Sequence, residues 1–210
     1  MFVKICGVTT VADALGAVEA GADAVGLNLI PSSRRCLGLE TAAAIAAAIR
    51  GRTRRIGVVA NVPAAELVRL GAQCDIDLWQ LTGEESPEQV RACLPRAFKA
   101  ARIGGAGDVA RAASYPGEFI LVDAKLEGQL GGTGHRFDWG LVTELARERR
   151  LILAGGLTPD NVSEAVTQVH PWGVDVASGV EVPGDPRRKD PELMRRFVAA
   201  ARAAAPRAPA

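Results

Sequence analysis

Three kinds of site in the 210-residue chain join reactive or ligand-binding groups to a break in an apolar run. In FVKICGVTT a thiol, Cys6, stands where apolar residues give way to Gly7 and two threonines. In EFILVDA a carboxylate, Asp123, follows four apolar residues. In LAGGLTPDNV and DVASGVE, the pairs Gly155-Gly156 and Ser178-Gly179 open turns after apolar runs. Such turns bare backbone N–H groups toward an anion, and a helix behind them adds the positive end of its dipole. Each glycine on its own also reads as a plain tight turn.

The chemistry these residue types allow is proton transfer on a phosphorylated ligand. Partial burial of Asp123 raises its pKa and suits a general acid, whereas an ion pair with Lys125 is the plainer reading. A free thiol titrates near ~8.5, so Cys6 needs help from its surroundings to act as a base, and buried cysteines often only pack. One group that takes a proton and one that gives it, facing one small substrate, is the equipment of an isomerase. Arg35, in IPSSRRCL, has the fork geometry to hold a carboxylate, although paired arginines are commonly solvated.

These residues need a scaffold that brings distant parts of the chain together. Short β-branched runs alternate with alanine-rich helical patterns throughout. Strands are expected at 2–6, 23–29, 55–60, 75–81, 97–103, 118–124, 150–156 and 173–178, with helices near 10–20, 40–50, 64–71, 87–94, 106–114, 139–148, 159–168 and 190–204. Eight strand–helix units predict an α/β fold, a single (β/α)8 TIM barrel of parallel strands over residues 1–204, with a frayed Ala/Pro tail at 205–210. An open doubly wound sheet is the competing arrangement, and its dinucleotide form needs a G-x-G-x-x-G that CGVTT does not supply. In the barrel, chemistry belongs at the C-terminal ends of strands. Cys6, Asn28, Asn61, Gln80, Asp123, Gly155-Gly156 and Asp175 all fall there, and GGTG at 131–134 reads as a substrate cover or a plain loop.

Composition narrows the partner. The 25 basic and 24 acidic residues nearly cancel, which disfavours nucleic acid or an anionic membrane and favours a small molecule. Cys6, Cys36, Cys74 and Cys93 form no C-x-x-C, which fits a reducing cytoplasmic setting. Lys4 interrupts the opening apolar run, against a secretory signal. His135 and His170 lack metal-ligand spacing, so no metal is expected, and neither G-x-S-x-G, a P-loop nor H-E-x-x-H occurs. A monomer and a homodimer are equally compatible with the alanine-rich helices.

Taken in order, KICGVTT, ADAVGLNL with SSRRCL, WQLTGEE, LVDA, GGTGHRFDW, LAGGLTPDNV and GVDVASGVE resemble the motifs of the phosphoribosylanthranilate isomerase family, from residue 3 to about 183. The resemblance implies a barrel that performs an Amadori rearrangement in tryptophan biosynthesis, without metal or organic cofactor. N-(5-phosphoribosyl)anthranilate would become 1-(2-carboxyphenylamino)-1-deoxyribulose 5-phosphate. Asp123 then matches the general acid that opens the furanose, and Cys6 the general base that takes the C2 proton. Arg35 matches the arginine on the anthranilate side, Gln80 and Asp175 line the substrate site, and Gly156 with Ser178-Gly179 matches the phosphate loops. The chain departs from the family at Thr82, where histidine is common, at Ser33-Arg34-Arg35-Cys36 in place of S-P-R-Y, and in PGDPRRKD. Those departures keep two other readings open, a paralogous aldose–ketose isomerase on another phosphosugar and a phosphate-binding barrel without turnover.

Overall fold

The opening run forms β1 (Phe2–Cys6) over the boundaries that its apolar character predicts, and the strands after it repeat its parallel direction. In a computed structural model, which describes residues 1–124 and 138–206, these are β2 (Ala24–Asn28), β3 (Arg54–Val59), β4 (Leu78–Leu81), β5 (Ala97–Ile103), β6 (Phe119–Ala124), β7 (Arg150–Leu153) and β8 (Gly173–Val176). Each pairs with its neighbour, and β8 pairs back onto β1 with Phe2 opposite Gly173 and Lys4 opposite Asp175, so the sheet closes into a ring. The (β/α)8 barrel is the observed fold. Closure removes the sheet edges that an open arrangement would have to protect.

Helices α1 (Val11–Glu19), α2 (Leu39–Ala48), α3 (Ala64–Cys74), α4 (Pro87–Ala92), α5 (Ala106–Ser114), α6 (Thr143–Glu148), α7 (Val162–Val169) and α8 (Pro191–Ala204) cover the outside. Alternate strand residues such as Val3, Ile5, Val25 and Leu27 pack against them in one large buried core. The other set, including Phe2, Ala24, Ile56, Phe98, Leu121 and Ile152, fills the barrel interior. Below, Phe2 stacks on Trp172 at 4.7 Å between ring centroids, and Phe119 meets Trp172 at 4.9 Å, closing the N-terminal end of the barrel.

Acidic residues just ahead of two strands satisfy neighbouring backbone. Asp23 Oδ2 accepts from the Val3 N–H at 2.8 Å, and Asp77 Oδ2 accepts from the Arg55 N–H at 2.8 Å. This fixes the strand ends opposite the mouth.

The structure corrects several boundaries. The strand expected at 75–81 begins only at Leu78, because Asp75 closes α3 in the left-handed conformation at φ 53°. The helix expected from 159 starts at Val162, after a turn in which the Thr158 N–H donates to Asn161 Oδ1 at 2.8 Å. The segment expected as one helix at 139–148 is a 3-10 turn (Trp139–Val142) followed by α6. An antiparallel hairpin of β9 (Glu181–Val182) and β10 (Asp185–Lys189), absent from the sequence reading, follows β8. GGTG at 131–134, His135, Lys125 and the final residues 207–210 of the expected tail lie outside the described residues. Among the described residues no helix is long and apolar enough to cross a membrane.

Candidate active site

Inward-facing residues of β1 run Phe2, Lys4, Cys6 from bottom to top, because successive strand side chains alternate between the two faces. The topmost, Cys6, lines a cavity at the C-terminal mouth of the barrel together with Asp123 from the end of β6. The two groups lie 117 positions apart in sequence, Cys6 to Asp123, and the closed ring brings them to one cavity. Of the other sequence-selected residues, Arg35, Gln80, Asp175, Gly155, Gly156 and Ser178 line that same cavity. Gly179 does not line it. A Cβ there would overlap the Leu157 carbonyl, so Gly179 lets the loop after β8 lie against the loop after β7.

The glycines of both turns have backbone reasons for their place. Gly155 and Gly156 sit at φ 93° and 65°, where a side chain is strained. Buried Asn161 donates from Nδ2 to the Gly156 carbonyl at 2.9 Å, which holds that carbonyl toward the helix side of the turn. Asn161 escaped the sequence reading, although an asparagine just ahead of a helix is a capping signal.

Arg34 and Arg35 divide the roles that the basic pair offered. The Arg34 side chain is 54% exposed, whereas that of Arg35 is 7% exposed and its Nε donates to Glu181 Oε1 at 2.5 Å. Arg35 runs across Gly7, whose φ of 68° and missing Cβ make room for Arg35 Cδ. Its buried Nη2 has no hydrogen-bond partner among the described residues. A buried guanidinium N–H without a partner is costly, and a ligand oxygen relieves that cost. Glu181 also accepts from Lys189 Nζ at 3.3 Å, and Lys189 Nζ donates to the Ala177 carbonyl at 2.8 Å, just ahead of Ser178. Burial pulls the Lys189 pKa down against the opposing pull of Glu181. Glu181 and Lys189 were not singled out from sequence.

On the far side of the mouth, Gln80 Nε2 donates to Thr82 Oγ1 at 3.3 Å, so the threonine that replaces the family's common histidine orients the Gln80 amide. Gln80 Oε1 is buried with no partner among the described residues. Deeper, Lys4 Nζ donates to Asp175 Oδ1 at 2.9 Å, a pair in which the lysine is fully buried and the aspartate nearly so. Burial works against the Lys4 charge, but Asp175 and Cys6 outweigh it and hold the pKa above its ordinary value. Burial pushes the Cys6 thiol up, with Lys4 as the strongest opposing influence. Cys6 is therefore a thiol of reduced acidity beside a buried ammonium. His170 closes α7 in the left-handed conformation.

Known proteins place this arrangement. Residues 3–200 match the family model described as N-(5'phosphoribosyl)anthranilate (PRA) isomerase. An N-(5'-phosphoribosyl)anthranilate isomerase of Citrifermentans bemidjiense is 45% identical over 200 residues, covering 95% of this chain and 96% of that protein. The crystal structure of the Thermotoga maritima phosphoribosyl anthranilate isomerase superposes with a TM-score of 0.88 at 36% identity, covering 97% of this chain and 99% of that one. A phosphoribosyl anthranilate isomerase solved with reduced 1-(o-carboxyphenylamino)-1-deoxyribulose 5-phosphate superposes with a TM-score of 0.84 at 34% identity and the same coverage of 97% and 99%. The chain belongs to the N-(5'-phosphoribosyl)anthranilate isomerase family and is an isomerase.

Proposed function

We propose that this chain carries out the Amadori rearrangement of N-(5-phosphoribosyl)anthranilate in tryptophan biosynthesis, with Asp123 as general acid and Cys6 as general base, in the cytoplasm. The observation that carries the reading is that both groups line one cavity at the barrel mouth. Asp123 gives a proton to the ring oxygen as the C1–O bond breaks, and the nitrogen lone pair forms the Schiff base. Cys6, as thiolate, removes the C2 proton, and the electrons of that C–H bond form the enolamine, which tautomerises to the ketone. No metal or redox partner is needed for the balance of this sequence.

The remaining lining residues divide the substrate by its chemistry. The free Nη2 of Arg35 suits the anthranilate carboxylate. The N–H groups of the turns at Gly155-Gly156 and Ser178-Gly179 suit the phosphate at the other end. Gln80 and Asp175 face the sugar between them. Purified protein is expected to consume the substrate with loss of its fluorescence, and to restore growth of a tryptophan auxotroph lacking this activity. Cys6→Ala and Asp123→Ala should each lower kcat by about 100-fold or more. Full activity in either variant removes that residue from the mechanism, and failure to rescue the auxotroph with intact enzyme favours the paralogue on another phosphosugar.

A further inference from the structure

Lys4 is a fully buried cation that takes no part in the steps just described. It occupies the layer of the barrel directly under Cys6, and β1 and β8 align it opposite Asp175, to which Nζ donates at 2.9 Å. A buried ion pair at a position where packed alkyl groups would serve is often no more stable than those groups, so stability alone does not account for it. Its surroundings point to the thiol. Gly26 of β2 lies opposite Cys6, and a Cβ on that glycine would stand 2.7 Å from Cys6 Sγ and 3.1 Å from Lys4 Nζ. The sulfur and the ammonium thus converge on one point, which the chain keeps clear of a side chain.

We propose that Lys4, held by Asp175 and admitted by Gly26, is the positioning residue that sustains the ionised form of the Cys6 thiol. This rests on the reading of Cys6 as the general base. Among the described residues, the charged groups that act most on Cys6 are Lys4 on its own strand, Asp175 on β8 and Lys189 on β10; Asp123 of β6 and Arg35 after β2 share its cavity, and β2 presents the uncharged Gly26. Beyond Lys189 stand Glu181 and Arg35. Burial opposes the thiolate most strongly, Lys4 is its largest support, and Asp175 opposes it while fixing Lys4 in place. The two members of the pair therefore act on the thiol with opposite signs. Lys4 stays protonated, so it supplies charge and not a proton.

The test is the pH dependence of Cys6 alkylation by iodoacetamide, resolved from the other cysteines by peptide mass spectrometry, beside the kcat/KM profile against pH. Lys4→Met is expected to move the Cys6 titration midpoint alkaline by about one pH unit, with an about tenfold fall in neutral-pH kcat/KM. Asp175→Asn should move the midpoint in the acid direction, and Lys4→Arg should restore most of the wild-type value. Because Lys4→Met leaves a buried carboxylate unpaired, Lys4→Met/Asp175→Asn removes both charges and keeps the fold; its midpoint should still lie alkaline of wild type. An unshifted midpoint in Lys4→Met, shifts of the same sign in Lys4→Met and Asp175→Asn, or an unshifted or acid-shifted double variant overturns the proposal. Activity retained in Cys6→Ala instead removes the base assignment, and the alkylation titration still reports whether Lys4 acts on the thiol.

Discussion

Gly7 ties the two ends of the mouth together at the scale of one residue. It follows Cys6 directly, holds φ 68°, and leaves the space that Arg35 Cδ occupies. An alanine there would carry strain of about 1 kcal/mol from the left-handed backbone and would push the guanidinium away from its seat. Gly7→Ala is therefore expected to raise KM for substrate at least several-fold, with a smaller effect on inhibition by inorganic phosphate, which on the proposed reading addresses the opposite loops. Equal loss of both affinities would mean that the turn as a whole, and not the Arg35 seat, had moved. Cys6, Asp123 and Gly7 were legible in sequence because each breaks an apolar run at a strand's end. Lys4 was not: read along the chain it interrupts a strand, yet in the fold it lies mid-strand at 0% exposure. Strands of a parallel barrel are buried on both faces, so alternation cannot tell which polar residue points inward to a partner.

Between elements, the hairpin of β9 and β10 is the part that the sequence concealed. DPRRK has the charge and the proline of a solvated loop, and a two-strand ribbon outside the ring gives no apolar alternation to read. Its meaning comes from contacts across the chain. Arg187 Nη1 donates to the Arg34 carbonyl at 3.0 Å, and the Thr9 hydroxyl donates to the Arg187 carbonyl. The hairpin, which follows β8, thus straps the loops after β1 and β2. Glu181 lies at the centre of this strap between Arg35 and Lys189, all three nearly excluded from solvent. Glu181→Gln keeps the shape but leaves two buried cations without their anion, so stability should fall by roughly 3 kcal/mol in denaturant unfolding. Restoring part of that loss by adding Lys189→Met, while Arg35→Met restores substrate affinity in neither background, would locate the damage in the shared carboxylate. Equal stability of Glu181→Gln and wild type would remove Glu181 from this role.

Across the whole molecule the two ends of the barrel separate function from support. The mouth gathers the groups proposed to react, Cys6 and Asp123, and the opposite end holds the Phe2–Trp172–Phe119 stack and an ion-pair cluster around Arg55. Eight units were legible because a closed ring repeats one local pattern; the cluster was not, since Asp75 and Asp77 look like ordinary charges beside a helix end. In the fold, Arg55 donates from Nη2 to Asp77 Oδ1 at 2.5 Å and from Nε to Asp77 Oδ2 at 2.9 Å, and it pairs also with Asp75. Burial pushes the Asp77 carboxyl up, but the hydrogen bonds from Arg55 prevail and hold its pKa below the ordinary 3.8. A carboxylate whose pKa is depressed by folding contributes its stability in full above the unfolded value and loses it as pH falls through the folded one. Asp77→Asn should therefore unfold at lower urea than wild type at about pH 7, and the gap between the two should narrow only as pH falls below the ordinary carboxylate value and through the depressed value of folded Asp77. With the variant folded, kcat/KM at neutral pH should match wild type, because Asp77 stands at the end of the barrel away from Cys6 and Asp123. A gap that persists unchanged in acid would assign the loss to the neutral hydrogen bond to the Arg55 N–H, and a fall in kcat/KM would show that the two ends of the ring are coupled.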